Sequence, residues 1–369
     1  MNIDKRVELE ECYSKAKEVI KLCTIKEGLF ASGGKDGYNA IWARDSIISL
    51  IGASVISDDF KKTFENNLNT LSRYQSRLGQ IPNAIDIFSE RKHHVDFQTI
   101  DSTLWYLIGH IFFKKRFGSK LFNSHKKSIQ KALTWLEYQD WEEDGLLEQL
   151  PTTDWQDAFP HKYGHVISTI ALYYKVLMDF DKKRAEKIKK LVNRKEEVKL
   201  WNGEFYWAYR WKNHNSYREI GEWFDSFGNV LSIIYGLANR DMSNKIIDYI
   251  KTKNIDSPFP LKSIFPPIYK TSKYWQDYYL DCDAKEPYNY LNGGIWPFIG
   301  GFYIIALIKE KRIREAEEEL IRLAKINLIG NFPEWVNPLD SRTYGELQAW
   351  SAGMYIAAFD SLKLKKVLI

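Results

Sequence analysis

Two short motifs combine carboxylates with tryptophan in a way that suits acid–base chemistry. In Thr153-Asp154-Trp155-Gln156-Asp157, two aspartates flank an aromatic ring inside a loop rich in proline and threonine. A carboxyl group beside a large apolar ring loses hydration, which raises its pKa and suits it to donate a proton. We assign Asp154 as the general acid, and Asp157 as a residue that orients Asp154 or caps the following turn.

The second motif is Phe332-Pro333-Glu334-Trp335, in which Glu334 has prolines on both sides and an aromatic neighbour. A rigid backbone and an aromatic wall suit a carboxylate that must be held still, such as a general base. The alternative is an ordinary glutamate in a surface loop. About half the chain separates Glu334 from Asp154, so the two can act together only if the fold brings distant segments to one place.

A further group of candidate residues lies at or near the starts of apolar segments. Arg44 and Asp45 can hydrogen-bond neighbouring hydroxyl groups of a sugar, and Trp42 offers a flat face to its C–H groups. The same Arg–Asp pair can instead be an ion pair and helix cap, and Asp101 can be an N-cap and nothing more. For the remaining tryptophans the alternative is core packing. The other binding candidates are Trp105, Trp155, Gln156, Asp157, Asn292, Trp296, Trp335, Gln348 and Trp350.

These residues need a scaffold, and the chain has a sixfold rhythm of apolar and charged segments. Six apolar, small-residue-rich segments begin near Asp45, Asp101, Gly164, Gly228, Gly294 and Gln348. Charged amphipathic segments lie between them, namely Val7–Leu22, Phe60–Tyr74, Lys126–Tyr138, Lys182–Leu191, Asn244–Lys253 and Ile313–Ile326.

This alternation predicts an all-α (α/α)6 barrel, in which six buried helices are surrounded by six half-exposed ones. An irregular all-α domain is the alternative. Parallel inner helices would bring all six starts, and the candidate residues with them, to one face. The stretch Glu204–Trp211 predicts a strand in at most a small β-hairpin. We expect residues 1–369 to form a single catalytic domain.

Composition excludes several classes of protein. The 369 residues are 44% hydrophobic and 15% aromatic, which is enough to build a large core. The net charge of +5 is spread along the chain, so we expect no nucleic-acid partner. No apolar run reaches the roughly 18 residues that span a bilayer, and residues 1–20 lack a signal-peptide core, so we expect a cytoplasmic protein without a membrane partner. The 3 cysteines and 7 histidines form no metal-binding spacing, and we expect no metal or other cofactor.

Taken together, the motifs resemble those of the (α/α)6-barrel glycoside hydrolases. That group includes neutral and alkaline invertases, trehalases, glucoamylases and the amylo-α-1,6-glucosidase domain of glycogen debranching enzymes, and the resemblance extends over residues 25–360. Individual segments are similar to family motifs: Thr99–Trp105 to V-D-S-G-L-W, Thr153–Asp157 to T-D-W-M-D, Phe332–Trp335 to W-P-E-Y, Trp42–Asp45 to W-x-R-D and Asn292–Pro297 to N-G-x-x-W-P. The doubled arginine that follows T-D-W-M-D in invertases is Ala158-Phe159 here, which argues against sucrose as the substrate.

The resemblance implies inverting hydrolysis of a terminal α-glucosidic bond, in an α-1,6 glucan branch or a small α-glucoside. It implies that Asp154 is the acid and Glu334 the base, with Arg44 and Asp45 holding the glycone. The carboxyl groups of an inverting pair lie roughly 6.5–9.5 Å apart. One alternative is a sugar epimerase, which needs two histidines at inner-helix starts where this chain offers only His165. A non-catalytic carbohydrate-binding protein is the other, and the sequence does not predict an oligomeric state.

Overall fold

The computed structural model describes residues 3–34, 38–88, 93–194, 198–212 and 218–369, which fold mainly into helices. In chain order the α-helices are α1 (Ile3–Cys23), α2 (Ala43–Ala53), α3 (Lys61–Arg73), α4 (Asp101–Phe117), α5 (Lys120–Ser124), α6 (Lys126–Glu137), α7 (Ile167–Phe180), α8 (Lys182–Arg194), α9 (Ser226–Tyr235), α10 (Arg240–Thr252), α11 (Pro297–Lys309), α12 (Ile313–Ile329) and α13 (Ala349–Leu364). Two short 3₁₀ helices, Asp277–Asp281 and Asp283–Lys285, lie between α10 and α11.

Six of these helices form a closed inner ring. Each of α2, α4, α7, α9, α11 and α13 packs against the next, and α13 packs against α2. Helix α2 is buried at every residue and α11 at all but its last, as expected for helices whose apolar residues cover more than one face. The ring confirms the predicted inner helices and the (α/α)6 barrel.

The outer helices carry charge on one face and apolar residues on the other. Helix α3 packs against α2 and α4, α8 against α7, α10 against α9, and α12 against α11 and α13. The first helix, α1, packs against α12 and α13. Buried hydrophobic residues from Leu9 to Phe359 make one contiguous core. Among the described residues, no helix is both long and apolar enough to cross a membrane.

Short strands collect just before the inner helices. They are β1 (Thr24–Ile25), β2 (Gly28–Leu29), β3 (Ile41–Trp42), β4 (Ala84–Ile85), β5 (Val95–Asp96), β6 (His165–Val166), β7 (Trp207–Lys212), β8 (Arg218–Asp225), β9 (Ile264–Phe265), β10 (Trp335–Val336) and β11 (Thr343–Tyr344). Within the described residues they form four antiparallel sheets, β1-β2, β3-β4-β5, β6-β7-β8-β9 and β10-β11.

The predicted strand at Glu204–Trp211 corresponds to β7, which pairs with β8. The molecule holds more strand than one hairpin, because two-residue strands are too short to show alternation in a sequence. The strands position the site: β3 runs into α2, β6 into α7 and β8 into α9, so the sheets surround one end of the barrel.

Candidate active site

A buried ion pair joins the first turns of α2 and α4. Arg44 Nη1 donates to both carboxylate oxygens of Asp101, at 3.1 and 2.9 Å. Arg44 is 3% exposed and Asp101 is 2% exposed, so the pair is sealed from solvent. The sequence predicted that Asp101 binds a ligand. Because Arg44 occupies both of its oxygens, Asp101 instead positions the guanidinium group.

The rest of Arg44 faces Asp45. Its Nε lies 3.8 Å from Asp45 Oδ2 and has no hydrogen-bond partner among the described residues. Burial raises the pKa of Asp45 to about 6, and the Arg44 charge opposes that rise. A buried N–H without a partner beside such a carboxylate forms a donor–acceptor pair suited to neighbouring hydroxyl groups, and sugar binding by Arg44 and Asp45 stays a prediction.

Asp154 lies at the centre of a buried polar network. Its Oδ2 is 2.9 Å from Lys162 Nζ and accepts a hydrogen bond from Ser168 Oγ at 3.1 Å, while Oδ1 accepts one from the Gln156 backbone at 3.0 Å. Lys162 is fully buried and also donates to Asp225 Oδ2 at 3.0 Å and to Gln156 Oε1 at 2.6 Å. Gln156 belongs to this network through its oxygen.

The network argues against Asp154 as the general acid. Lys162 and Ser168 occupy Oδ2 and the Gln156 backbone occupies Oδ1, whereas a general acid must reach the substrate with its proton. Asp154 is also only 1% exposed. The geometry suits Asp154 to hold its loop in place.

Asp157, three residues further on, has a different environment. It is half-buried, and burial raises its pKa while the Arg44 charge opposes the rise and the charges of Asp101 and Asp154 add to it. Burial likewise raises the pKa of Glu334 to about 7, with the charges of Asp45 and Asp157 contributing. Asp157, Asp45 and Glu334 therefore form a cluster of mutually repelling carboxylates at the barrel mouth.

Glu334 is held by the hairpin of β10 and β11. Its backbone N–H donates to the Tyr344 carbonyl at 2.9 Å, and Trp335 stacks on the Tyr344 ring with 3.9 Å between centroids. Gly345, at a φ of +65°, is so close that a Cβ there would lie 2.9 Å from the Glu334 Cβ. Tyr38 Oη donates to Glu334 Oε1 at 3.3 Å, which favours the ionised carboxylate.

An open cavity of about 550 Å³ lies beside Glu334. Tyr38 and Gln348 line it, together with Asn331 and Glu346. Gln348 immediately precedes α13, is 2% exposed, and is fixed by a backbone hydrogen bond to Phe332 O at 3.0 Å. The structure thus places Gln348 and Glu334 at one cavity, and the binding role of Gln348 stays a prediction.

Aromatic rings connect the segment of Asp157 with the segment of Glu334. Trp155 packs on Trp296 with 5.5 Å between ring centroids, and Tyr290 packs on both Trp296 and Trp335, at 5.2 and 6.1 Å. The predicted Trp155, Trp296 and Trp335 therefore belong to one aromatic cluster, which Trp350 joins through Trp296 at 5.7 Å. The Nε1 groups of Trp155 and Trp350 are buried and have no hydrogen-bond partner in the described part of the chain. The cluster bounds the mouth on one side.

Trp42 packs against a side chain that also contacts Glu334. It immediately precedes α2, as the second residue of β3, and its ring packs edge-on against Tyr38 with 5.8 Å between centroids. Since Tyr38 also binds Glu334, Trp42 is connected to the base candidate through a single side chain.

Two predicted binding residues are structural instead. Trp105 is 1% exposed and packs against Phe227 and Phe302 inside the ring, because it faces the barrel axis one turn below the start of α4. Asn292 is fully buried, and its amide accepts from the Ile268 backbone at 2.7 Å and donates to carbonyls of Ile268 and Ala284. These bonds occupy the Asn292 side chain, which holds two loops together.

Sequence reasoning missed two residues of the site. Lys162 has no recognisable signal, because a lysine in a polar loop normally lies on the surface. Tyr38 lies four residues before Trp42, but nothing in the sequence links it to Glu334, which is far away along the chain. Only the tertiary structure reveals either contact.

His165 and His161 have partners of their own. His165 Nδ1 lies 3.2 Å from the Leu147 carbonyl and its Nε2 lies 3.6 Å from Asp144, whereas His161 Nδ1 pairs with Tyr278 Oη at 2.8 Å. None of these partners belongs to the cluster of Asp45, Asp157 and Glu334, so the contacts do not favour an epimerase. Within the described ranges, no group of three or more His, Cys, Asp or Glu side chains could hold a metal ion.

Comparison with known sequences relates the C-terminal part of the chain to one family. The family model of alkaline and neutral invertases matches residues 213–363. Alkaline/neutral invertase E of Arabidopsis thaliana, a chloroplastic protein, is 30% identical over 142 residues, or 37% of this chain. The match spans only 22% of that relative's length. The residues that the family model matches include Glu334 but not the segment of Asp154 and Asp157.

Comparison with solved structures covers nearly the whole chain. A GH63 mannosylglycerate hydrolase from Thermus thermophilus, in complex with Tris and D-glycerate, superimposes with a TM-score of 0.69 at 14% identity, covering 94% of this chain and 99% of that one. A glycosidase variant in complex with glucose gives a TM-score of 0.70 at 15% identity, covering 99% of both chains. Such similarities establish the fold. The chain has the (α/α)6-barrel fold of these glycoside hydrolases, and its C-terminal part is similar to alkaline and neutral invertases.

Proposed function

We propose that this chain is a glycoside hydrolase that cleaves a terminal α-glucosidic bond with inversion, using Asp157 as general acid and Glu334 as general base. One observation carries the proposal: two carboxyl groups with raised pKa values, one from each half of the chain, influence each other's charge at a mouth bounded by aromatic rings. Pairs of carboxylic acids tuned in this way are the machinery of glycosidases. The fold neighbours and the invertase match support the reaction class.

The choice of Asp157 rather than Asp154 rests on solvation and partners. Asp154 is locked by Lys162 and Ser168 in an ion pair beneath the mouth, whereas Asp157 is half-buried and interacts with Arg44 and the other carboxylates. In the proposed reaction, protonated Asp157 donates to the glycosidic oxygen as its bond to the anomeric carbon breaks. Ionised Glu334 takes a proton from the water that attacks the opposite face.

The glycone would be held by groups that have spare hydrogen-bonding capacity. Arg44 Nε, Trp155 Nε1 and Trp350 Nε1 are buried N–H groups without a partner among the described residues, and hydroxyl oxygens are suitable acceptors for them. Asp45, with a pKa of about 6, supplies an acceptor for hydroxyl protons. We propose an α-1,6 glucan branch or a small neutral α-glucoside as the substrate, since Ala158 and Phe159 replace the arginines of the sucrose-cleaving relatives.

Three matched variants test the proposal. Glu334→Gln should lower kcat on every α-glucoside by about 10²–10⁴-fold, the usual contribution of a general base. Asp157→Asn should lose activity on α-linked disaccharides to a similar degree but keep most of it on α-glucosyl fluoride, since fluoride departs without a proton. Asp154→Asn should reduce both activities together with folding stability, because it disrupts the Lys162 network.

The measurements are initial rates on a panel of α-linked disaccharides, isomaltose among them, and proton NMR of the first product. Inversion predicts that β-glucose appears before it mutarotates. If Asp154→Asn, and not Asp157→Asn, were the variant selectively rescued by the fluoride, the acid would be Asp154. If α-glucose appeared first, the mechanism would be retaining.

A further inference from the structure

A second cavity, of about 410 Å³, lies beside the loop that leads to Asp157. We call it the flank cavity, and Leu150, Pro151 and Thr153 of that loop form part of its wall. Its volume falls within the range of roughly 300–1,000 Å³ that small-molecule sites occupy. The proposed mechanism uses none of the residues that line it.

Tryptophans from three separate elements line the flank cavity. Trp135 comes from α6, Trp141 from the loop after it, and Trp211 from β7. Trp141 is 72% exposed and the neighbouring Leu150 is 68% exposed. Large apolar side chains at such exposure cost solvation free energy, so a set of them around a cavity marks a binding surface.

Gln149, one of the lining residues, has a fixed side-chain amide. Gln149 is 6% exposed, and its Oε1 accepts a hydrogen bond from Thr169 Oγ1. That bond fixes the orientation of the amide, whose Nε2 is buried and has no hydrogen-bond partner within the described ranges. The Gln149 backbone is held as well, by two hydrogen bonds with Gly164 at 3.0 and 2.9 Å. A rigid, unpartnered N–H group in a cavity wall is suited to a ligand oxygen.

The charge of the lining indicates a neutral ligand. Glu148 is the one charged residue among the described residues that line the flank cavity, where Gln80, Gln98, Gln139 and Gln149 supply amides. Without a lysine or arginine in that described wall, a phosphate or carboxylate ligand would have no counter-charge. Aromatic faces together with amide groups match the alternating C–H and hydroxyl surfaces of a pyranose ring.

We infer that the flank cavity is a second carbohydrate site, which binds a neutral oligosaccharide chain against Trp141 and Gln149 beside the catalytic mouth. The ligand class rests on the proposed function, since a site next to a glycosidase mouth would capture neighbouring units of the same glucan. Its position next to residues 150–153 would keep a long substrate close to Asp157.

The test separates binding at the flank cavity from catalysis. In the Glu334→Gln protein, every tryptophan is replaced by 5-fluorotryptophan, and the ¹⁹F resonance of Trp141 is assigned by its absence in Trp141→Ala. Titration with maltohexaose and isomaltohexaose should shift this resonance, whereas glucose should shift it far less. Trp141→Ala should weaken hexasaccharide binding by about two- to tenfold in calorimetry, the contribution expected of one aromatic contact.

Tyr138→Ala is the matched control, because Tyr138 is 76% exposed, lies three residues from Trp141 and is outside the cavity lining; its affinity should be unchanged. Gln149→Glu keeps the acceptor for Thr169 while removing the free N–H, and should weaken binding; because a buried carboxylate costs stability, the affinity is measured well below the melting temperature of this variant. A Trp141 resonance that neither hexasaccharide moves would overturn the inference while leaving the proposed function intact. Conversely, a shifted Trp141 resonance in a chain that cleaves no glycoside would leave the flank site standing and refute the hydrolase.

Discussion

At the scale of single residues, the site is governed by like charges in a partly buried setting. Asp45, Asp157 and Glu334 each lose hydration on folding, and each carries a negative charge that penalises ionisation of the others. Arg44 offsets part of this repulsion, but Asp101 already shares its charge. The carboxylates therefore titrate nearer to neutral pH than isolated aspartates and glutamates do.

The pH dependence of activity follows from the Glu334 environment. A base works only when ionised, so kcat/KM should rise with pH through about 7, the pKa of Glu334, and not through the value near 4.3 of a free glutamate. Tyr38→Phe removes a hydrogen bond that lowers this pKa, so it should move the rising limb to higher pH. The measurement is a pH profile of kcat/KM for both proteins. A rising limb near pH 4, or one that Tyr38→Phe leaves in place, would contradict the assignment.

At the scale of elements, the site depends on how a long loop is attached to the helices beneath it. The loop of Asp154 and Asp157 connects to α7 through Ser168 and to the N-terminus of α9 through Lys162 and Asp225. Asp225 is also the N-cap of α9, accepting from Gly228 N at 3.0 Å. Burial lowers the pKa of Lys162, but the two aspartates outweigh this and raise it, so the lysine stays charged.

Removing the charge of Lys162 should therefore destabilise the protein strongly. Lys162→Met leaves two buried carboxylates without a counter-charge, and breaking such a buried pair typically costs about 3–5 kcal/mol. The free energy of unfolding from urea titration measures this cost. Lys62→Met is the matched control, because Lys62 forms a solvent-exposed ion pair with Glu65 at 3.2 Å and should change stability little. Equal effects of the two substitutions would refute a structural role for Lys162.

At the scale of the whole molecule, the barrel exists because its first and last inner helices touch. Gly52 of α2 faces Gly353 of α13, and a Cβ on Gly52 would lie 2.1 Å from the Gly353 carbonyl oxygen. A Cβ on Gly353 would lie 2.5 Å from the Ser49 carbonyl oxygen. The backbones approach too closely for any side chain, so these glycines allow the ring to close and bring the segments of Asp157 and Glu334 to the same mouth.

A methyl group at this contact should therefore open the ring. Gly353→Ala must push α13 away from α2, and overpacking of this kind costs about 1–3 kcal/mol. We expect a lower melting temperature and a weakened activity, measured by calorimetry and by initial rates. Gly34→Ala provides the control for stability, since its added Cβ would meet no atom of the described residues closer than 3.5 Å. A Gly353→Ala protein as stable as the Gly34→Ala control would show that the helices can separate at no cost.

Much of the fold could be predicted because its signal is local. The alternation of apolar and charged segments identified six inner and six outer helices, and α4 begins at the predicted Asp101. The short strands before α2, α7 and α13 could not be predicted, since two-residue ladders form only when a distant segment supplies the partner. Candidate residues at the helix starts, such as Arg44 and Gln348, could be named because helix starts are themselves local features.

Local patterns along the chain were enough to predict the helices, their order, and the end of the barrel where the polar residues gather. The contacts that each of those residues makes depend on segments far away along the chain. Asp154 and Asp157 look alike in the motif, yet Lys162 and Ser168 occupy the former and leave the latter at the mouth. Contacts inside the fold likewise hold two other candidates: Trp105 packs against Phe227, and Asn292 donates to a loop carbonyl. The reason is physical: the pKa and availability of a polar group depend on partners within a few ångströms, and folding brings those partners from anywhere along the chain.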